Sequence, residues 1–122
     1  MNIYLAGPIN NCTDEECRGW REKAKALLVG HSCIDPMIRD YRGQENENIR
    51  SIVEDDKADI DSCWAVLAMC PRPSVGTSME ILYAWERHKA VYVIAKGNIS
   101  PWLKYHSIAI FPALEDAVGM IG

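Results

Sequence analysis

No stretch of this sequence approaches the roughly 20 apolar residues that a membrane-spanning helix needs, and its first residues hold neither a basic segment nor a long apolar one. A cytoplasmic protein without a membrane partner is expected. No basic cluster occurs, and the formal net charge is −4. A nucleic-acid surface is therefore not expected, because such surfaces draw most of their affinity from grouped Lys and Arg. Cys12, Cys17, Cys33, Cys63 and Cys70 contain no CxxC pair, and an odd number of cysteines cannot all pair within one chain. Reduced thiols follow, in keeping with a cytosolic compartment. His31, His88 and His106 show no ligand spacing, so no metal is expected. The absence of GxxxxGK[ST] and GxGxxG disfavours ATP and dinucleotides, leaving no expected cofactor. With no internal repeat and no low-complexity linker, residues 1–122 read as one domain.

What is present alternates between two periods. Asn2 to Ala6, His31 to Asp35, Trp64 to Met69, Ala90 to Ala95 and Ile108 to Phe111 are short apolar runs with the character of buried strands. Between them, Thr13 to Leu28 carries Trp20, Ala24, Leu27 and Leu28 at helical spacing behind a Thr13-x-x-Glu16 capping box. Glu45 to Ser62, Met79 to Arg87 and Pro112 to Ile121 read as further helices. Pro36 to Gln44 and Gly97 to Ser107 read as loops. Strand and helix in alternation predict an α/β fold, a doubly wound five-stranded parallel sheet of flavodoxin or Rossmann type flanked by helices.

In such a sheet the loops beyond the strand C-termini gather the ligand site. The richest of them is Pro73-Ser74-Val75-Gly76-Thr77-Ser78-Met79-Glu80-Ile81. Its hydroxyls, small residues and free N–H groups suit an anion at a helix start, with the Glu80 carboxylate beside it. Thr77-x-x-Glu80 also fits a capping box, in which Glu80 would serve only the backbone. Asp56 lies on the apolar stripe of Ile49, Ile52, Val53 and Ile60, where a carboxylate needs either a partner such as Arg or a role. The loop residues Arg39, Asp40, Tyr41 and Arg42 either line the site or form a solvated connection, the second being the commoner case for any one of them. A Ser107–His106 triad is disfavoured, since GxSxG is missing and adjacent strand residues face opposite ways. Cys63 and Cys70 flank an apolar strand and read as inert core thiols.

Three motifs in order resemble the nucleoside 2-deoxyribosyltransferase superfamily, and within it the 2'-deoxynucleoside 5'-monophosphate N-glycosidases. They are Tyr4-Leu5-Ala6-Gly7-Pro8-Ile9, Asp56, and Pro73 to Glu80. The resemblance implies that Glu80 is the nucleophile, forming a glycosyl-enzyme intermediate with the sugar C1'. It implies that Asp56 holds substrate and assists proton transfer, and that Tyr4 orients the Glu80 carboxylate. Gly7, Pro8, Ile9, Ser74 and Gly76 would bind substrate. Relatives acting on free nucleosides have an acidic residue at the position of Ser74, and a serine there admits phosphate without charge repulsion. Ser107 resembles a serine that completes the phosphate site, often across a homodimer interface. Trp64 departs from the Asp common in relatives, a difference expected to affect packing. The implied reaction is hydrolysis of a nucleoside 5'-monophosphate to free base and (deoxy)ribose 5-phosphate. A base-exchanging deoxyribosyltransferase and a non-catalytic nucleotide sensor are the alternatives.

Overall fold

In the computed structural model, which describes residues 1–122, strand β1 (Asn2–Ala6) occupies an inner position, with four of its five residues buried. It pairs in parallel with β2 (Ser32–Ile34) on one side and β3 (Ala65–Met69) on the other. Strands β4 (Ala90–Ile94) and β5 (Ala109–Phe111) extend the sheet beyond β3. The order is β2-β1-β3-β4-β5, all parallel. Order reverses between β1 and β3, so a crevice opens there beyond the strand C-termini. The expected fold class is thereby met.

Burial on both faces explains why the strands read as continuous apolar runs. Ile3, Leu5, Ala65, Leu67, Tyr92 and Ile94 pack against Ala24, Leu28, Leu114 and Ala117, which come from or adjoin α1 (Trp20–Leu27) and α5 (Leu114–Ile121). Tyr4, Ala6, Val66, Ala68, Val91 and Val93 face the other way, against Ile60, Ile81 and Ala84. Those three belong to α2 (Ile49–Asp61) and α3 (Val75–Glu86). Tyr4 thus points to the side that carries Asp56 and Glu80.

Several boundaries differ from expectation, each for a local reason. Helix α3 begins at Val75 rather than Met79, because Ser74 is its cap. The loop 97–107 contains a short helix, α4 (Pro101–Tyr105), capped by Ser100 and opened by proline at its first position. The first helix enters through a π-helical turn, Glu15–Gly19. Its capping box forms as expected, with Glu16 Oε1 accepting from the Thr13 N–H at 2.9 Å and Thr13 Oγ1 from the Glu16 N–H at 3.2 Å. The buried stripe behind it is Cys17, Arg21, Ala24 and Leu28, while Leu27 is left 39% exposed. On α2 only Ile60 is buried, and Ile49 and Val53 stay exposed. Trp64 packs edge-on to Tyr92 and beside His31, just ahead of β3 and remote from the crevice.

Candidate active site

Ser74 decides what Glu80 does. Its Oγ accepts from the Thr77 N–H at 3.5 Å and donates to Thr77 Oγ1 at 3.0 Å, so the cap lies three residues before Thr77. Thr77 is already helical and buried. The capping-box reading of Thr77-x-x-Glu80 therefore fails, since the Thr77 N–H is taken and Glu80 sits in the second turn. Free of the backbone, the Glu80 side chain turns toward the sheet. There Glu80 Oε2 accepts from the hydroxyl of Tyr4 at 2.5 Å, a contact spanning 76 residues of sequence.

Asp56 enters from α2 close enough to Glu80 for each carboxyl to shift the ionisation of the other. On its other side, Arg39 Nη2 lies 3.2 Å from Asp56 Oδ1 and 2.6 Å from Asp59 Oδ2, with Asp55 at 3.8 Å from Nε. Asp56 therefore has the arginine partner that its place on an apolar stripe demands, and it also lies beside Glu80. Of the neighbouring acids, Asp61 faces away and accepts from the Tyr83 hydroxyl.

Two neighbouring carboxyls in a low-dielectric site cannot both ionise cheaply. Burial, then the negative charge of Asp56, pushes the Glu80 carboxyl up to about 8, while the Tyr4 hydroxyl and Arg21 pull it down. Burial also raises Asp56, opposed by Arg39. The pair titrates as a unit and holds one proton at neutral pH. Burial and the Glu80 charge hold Tyr4 well above its ordinary value, so its hydroxyl stays a donor. One anion beside one acid is the protonation state that nucleophilic displacement with leaving-group protonation requires.

The remaining predicted site residues divide. Gly7 and Pro8 are buried and Ile9 is half-buried against Cys12, Cys17 and Met37. A Cβ at Gly7 would come within 2.7 Å of Trp20 Cζ2, so its glycine is required by the indole packed on it. Gly76 instead faces open space, with no atom within 4 Å of a would-be Cβ. Ser74 and Thr77 line a cavity of about 620 Å³ between α3 and α4, shared with Arg72, Lys96, Trp102 and His106. Ser107 is not in the same crevice of this chain, which corrects the expectation that it joins Tyr4, Ser74 and Glu80 there. It lies two residues before Ala109, which pairs with Tyr92 in the middle of β4, and so falls level with the start of β4, toward the opposite, N-terminal end of the sheet. Its Oγ donates to the Leu103 carbonyl at 2.7 Å, and His106 Nδ1 lies 2.8 Å from the Trp102 carbonyl, so the two form no triad. Burial raises the thiols of Cys63 and Cys70, the latter to about 11, as suits inert core cysteines.

The residue that sequence reading missed is Arg21. It is fully buried and donates to the carbonyls of Leu5, Gly7 and Cys17. Its signal was available: Arg21 is three residues before Ala24 and seven before Leu28, a cation on an apolar stripe, as Asp56 is an anion on another.

No curated protein sequence matches the chain. Among solved structures, a 2-deoxyribosyltransferase of Bacillus psychrosaccharolyticus is similar with a TM-score of 0.78 at 18% identity, over 97% of this chain and 90% of that one. A CMP N-glycosidase of Clostridium botulinum is similar with a TM-score of 0.65 at 17% identity, over 99% and 98%. A protein of Enterococcus faecalis gives 0.76 at 14% identity, over 98% and 96%. These likenesses establish the fold. The model of the nucleoside 2-deoxyribosyltransferase family matches residues 3–100, a span that holds Tyr4, Asp56, Ser74 and Glu80, and the chain belongs to that family of enzymes.

Proposed function

We propose that this protein hydrolyses the N-glycosidic bond of (2'-deoxy)nucleoside 5'-monophosphates, with Glu80 as nucleophile. The observation that carries the reading is the Tyr4–Glu80–Asp56 set, two carboxyls sharing one proton and oriented by a buried phenol. In the first step the shared proton, which the negative charge of Asp56 holds on Glu80 at neutral pH, passes to Asp56, and the Glu80 carboxylate oxygen so freed attacks C1'. The C–N bond breaks, its electron pair leaves on the base, and Asp56 protonates the base. In the second step water attacks C1' and the ester to Glu80 breaks. The proton lost by water returns to Asp56 and is shared with Glu80 again, so the site ends as it began. Covalent capture replaces one difficult displacement with two easier ones.

Ser74 supports the choice of a monophosphate. It brings a neutral hydroxyl to the start of α3, where the Val75 and Gly76 N–H groups precede the first intrahelical bonds. An acidic residue there would repel a phosphate. The fold-level likeness to a CMP N-glycosidase agrees with a nucleotide substrate. Homodimerisation belongs to the same reading: Val75, Met79, Trp102 and Tyr105 are 67–77% exposed on neighbouring helices, an apolar surface that a second copy would cover. Ser107 would then serve a site only from that second copy.

The test is to incubate the protein with each deoxynucleoside monophosphate, its ribo counterpart and the free nucleosides, and to measure released base by chromatography. Base release from monophosphates, lost in Glu80→Gln, is expected. A second nucleobase added to the reaction separates hydrolysis from exchange. Saturable nucleotide binding with no base released, or full activity in Glu80→Gln, would overturn the proposal.

A further inference from the structure

A fully buried arginine with no part in the steps above lies under the site. Arg21 Nε donates to the Leu5 carbonyl at 3.2 Å, Nη2 to the Gly7 carbonyl at 3.0 Å, and Nη1 to the Cys17 carbonyl. The first two acceptors bracket the end of β1, and the third belongs to the π-helical turn leading into α1. One guanidinium therefore ties the strand that carries Tyr4 to the helix beneath it. Burying such a charge costs several kcal/mol unless it is paired and its donors are used. Here the counter-ion is Asp35 at 3.7 Å, itself held by Lys25 at 2.7 Å.

We propose that Arg21 is a positioning residue for the candidate reaction, fixing the β1 turn beside Tyr4 and presenting a permanent positive charge to Glu80 from α1. The inference rests on the reading of Glu80 as the reactive carboxyl. The Tyr4 hydroxyl from β1 donates to Glu80, and the charges of Asp56 on α2 and Arg21 on α1 act on it in opposite senses. Behind Asp56 stand Arg39 and Asp59, and behind Arg21 stands Asp35. Asp56 and Arg21 approach from helices on opposite faces of the sheet, the first disfavouring ionisation of Glu80 and the second favouring it. The same cation acts on Tyr4 in the same sense. A hydrophobic residue in place of Arg21 would pack, but it would remove both the tether and the charge.

Charge and tether separate by substitution. Arg21→Met removes both, so the Glu80 titration midpoint and the pH optimum rise by about 0.5–1 unit and kcat falls more than KM changes. Arg21→Lys keeps the charge without the planar fork, so the midpoint returns while part of the kcat loss remains. Asp35→Asn leaves Arg21 in place without its counter-ion, and Asn still accepts the cap bond that Asp35 Oδ1 takes from the Met37 N–H. Its effect has the opposite sign, a lower midpoint. Glu80 is titrated by carboxyl-carbon NMR of glutamate-labelled protein, assigned by its loss in Glu80→Gln, so the result does not depend on turnover. A purely structural role predicts a lower melting temperature with unmoved midpoints. That outcome in Arg21→Met and Asp35→Asn overturns the proposal, and Asp35→Asn decides alone if Arg21→Met does not fold. A wild-type protein that releases no base overturns the proposed function instead, leaving the NMR titration to judge Arg21.

Discussion

The same four-residue pattern occurs twice in this chain, as Thr13-x-x-Glu16 and Thr77-x-x-Glu80, and it does two different things. At the first site the threonine caps a helix, and the glutamate returns to its backbone with both reciprocal bonds made at the surface. At the second, Ser74 has already begun the helix, so Thr77 lies within it and Glu80 is carried past the first turn to meet Tyr4 and Asp56. Which residue starts the helix determines whether the glutamate is a cap or a reactive group. The two glutamates also answer pH in opposite senses. The Thr13 backbone and hydroxyl lower the Glu16 carboxyl below its ordinary value, whereas burial and Asp56 raise Glu80.

The largest expected effect comes from Glu80→Gln, with base release falling about 1,000-fold or more as for other lost nucleophiles. Stability should move the other way. Because the folded pKa of Glu80 lies above its ordinary 4.5, the native state binds more protons than the unfolded state across that interval. Stability associated with this group is thus fully present below about 4.5 and is lost as pH rises through about 8. Gln carries no such penalty, so Glu80→Gln should exceed wild type at pH 8 by about 3–5 kcal/mol and match it near pH 4. Chemical denaturation at the two pH values measures this. For Glu16 the sign reverses, its contribution being present above the ordinary carboxyl value and lost as pH falls. A Glu80→Gln variant less stable at pH 8 than wild type would remove the distinction between the two sites.

Asp56→Asn sharpens the same comparison within the pair. It removes the proton donor while leaving the nucleophile, so kcat should fall by about 100- to 1,000-fold, with poor leaving groups affected most. Without the Asp56 charge the midpoint of Glu80 falls, and with no second carboxyl left to hold the shared proton the rate no longer declines as pH rises through about 8. Tyr4→Phe should act less, by about 10-fold, and in the other direction on pH, since the hydroxyl that lowers Glu80 is lost. Rate profiles of the three proteins on one monophosphate check both signs.

These differences also explain how much could be read in advance. The five parallel strands and the two-sided core were legible because every strand is a short apolar run and every connection but the one through α4 reads as a helix. Asp56 was legible as an anion on an apolar stripe. The role of Glu80 was ambiguous, since Thr77-x-x-Glu80 is locally identical to a cap, and the Ser74 cap with the 76-residue contact to Tyr4 removes the ambiguity. Ser107 was misplaced because α4 was read as loop. A loop could have left it near the C-terminal ends of the strands, whereas the α4 crossover delivers it to the start of β5. Arg21 escaped because its partners are main-chain carbonyls, which carry no mark in sequence.

The smallest effects test the two caps against each other. Thr13→Ala removes one of two reciprocal bonds and should cost about 0.5–1 kcal/mol, with kcat/KM unchanged because the Thr13 hydroxyl bonds only the Glu16 N–H. Ser74→Ala removes a longer cap bond, 3.5 Å to the Thr77 N–H, so its stability cost should be no greater. Its cost should appear in binding, as a KM for the monophosphate raised about 5- to 10-fold and a KM for the free nucleoside left where it was. Denaturation curves and paired Michaelis constants on the two substrates distinguish the outcomes. An equal KM change on both substrates would make Ser74 a cap like Thr13 and remove the reason for placing the phosphate at α3.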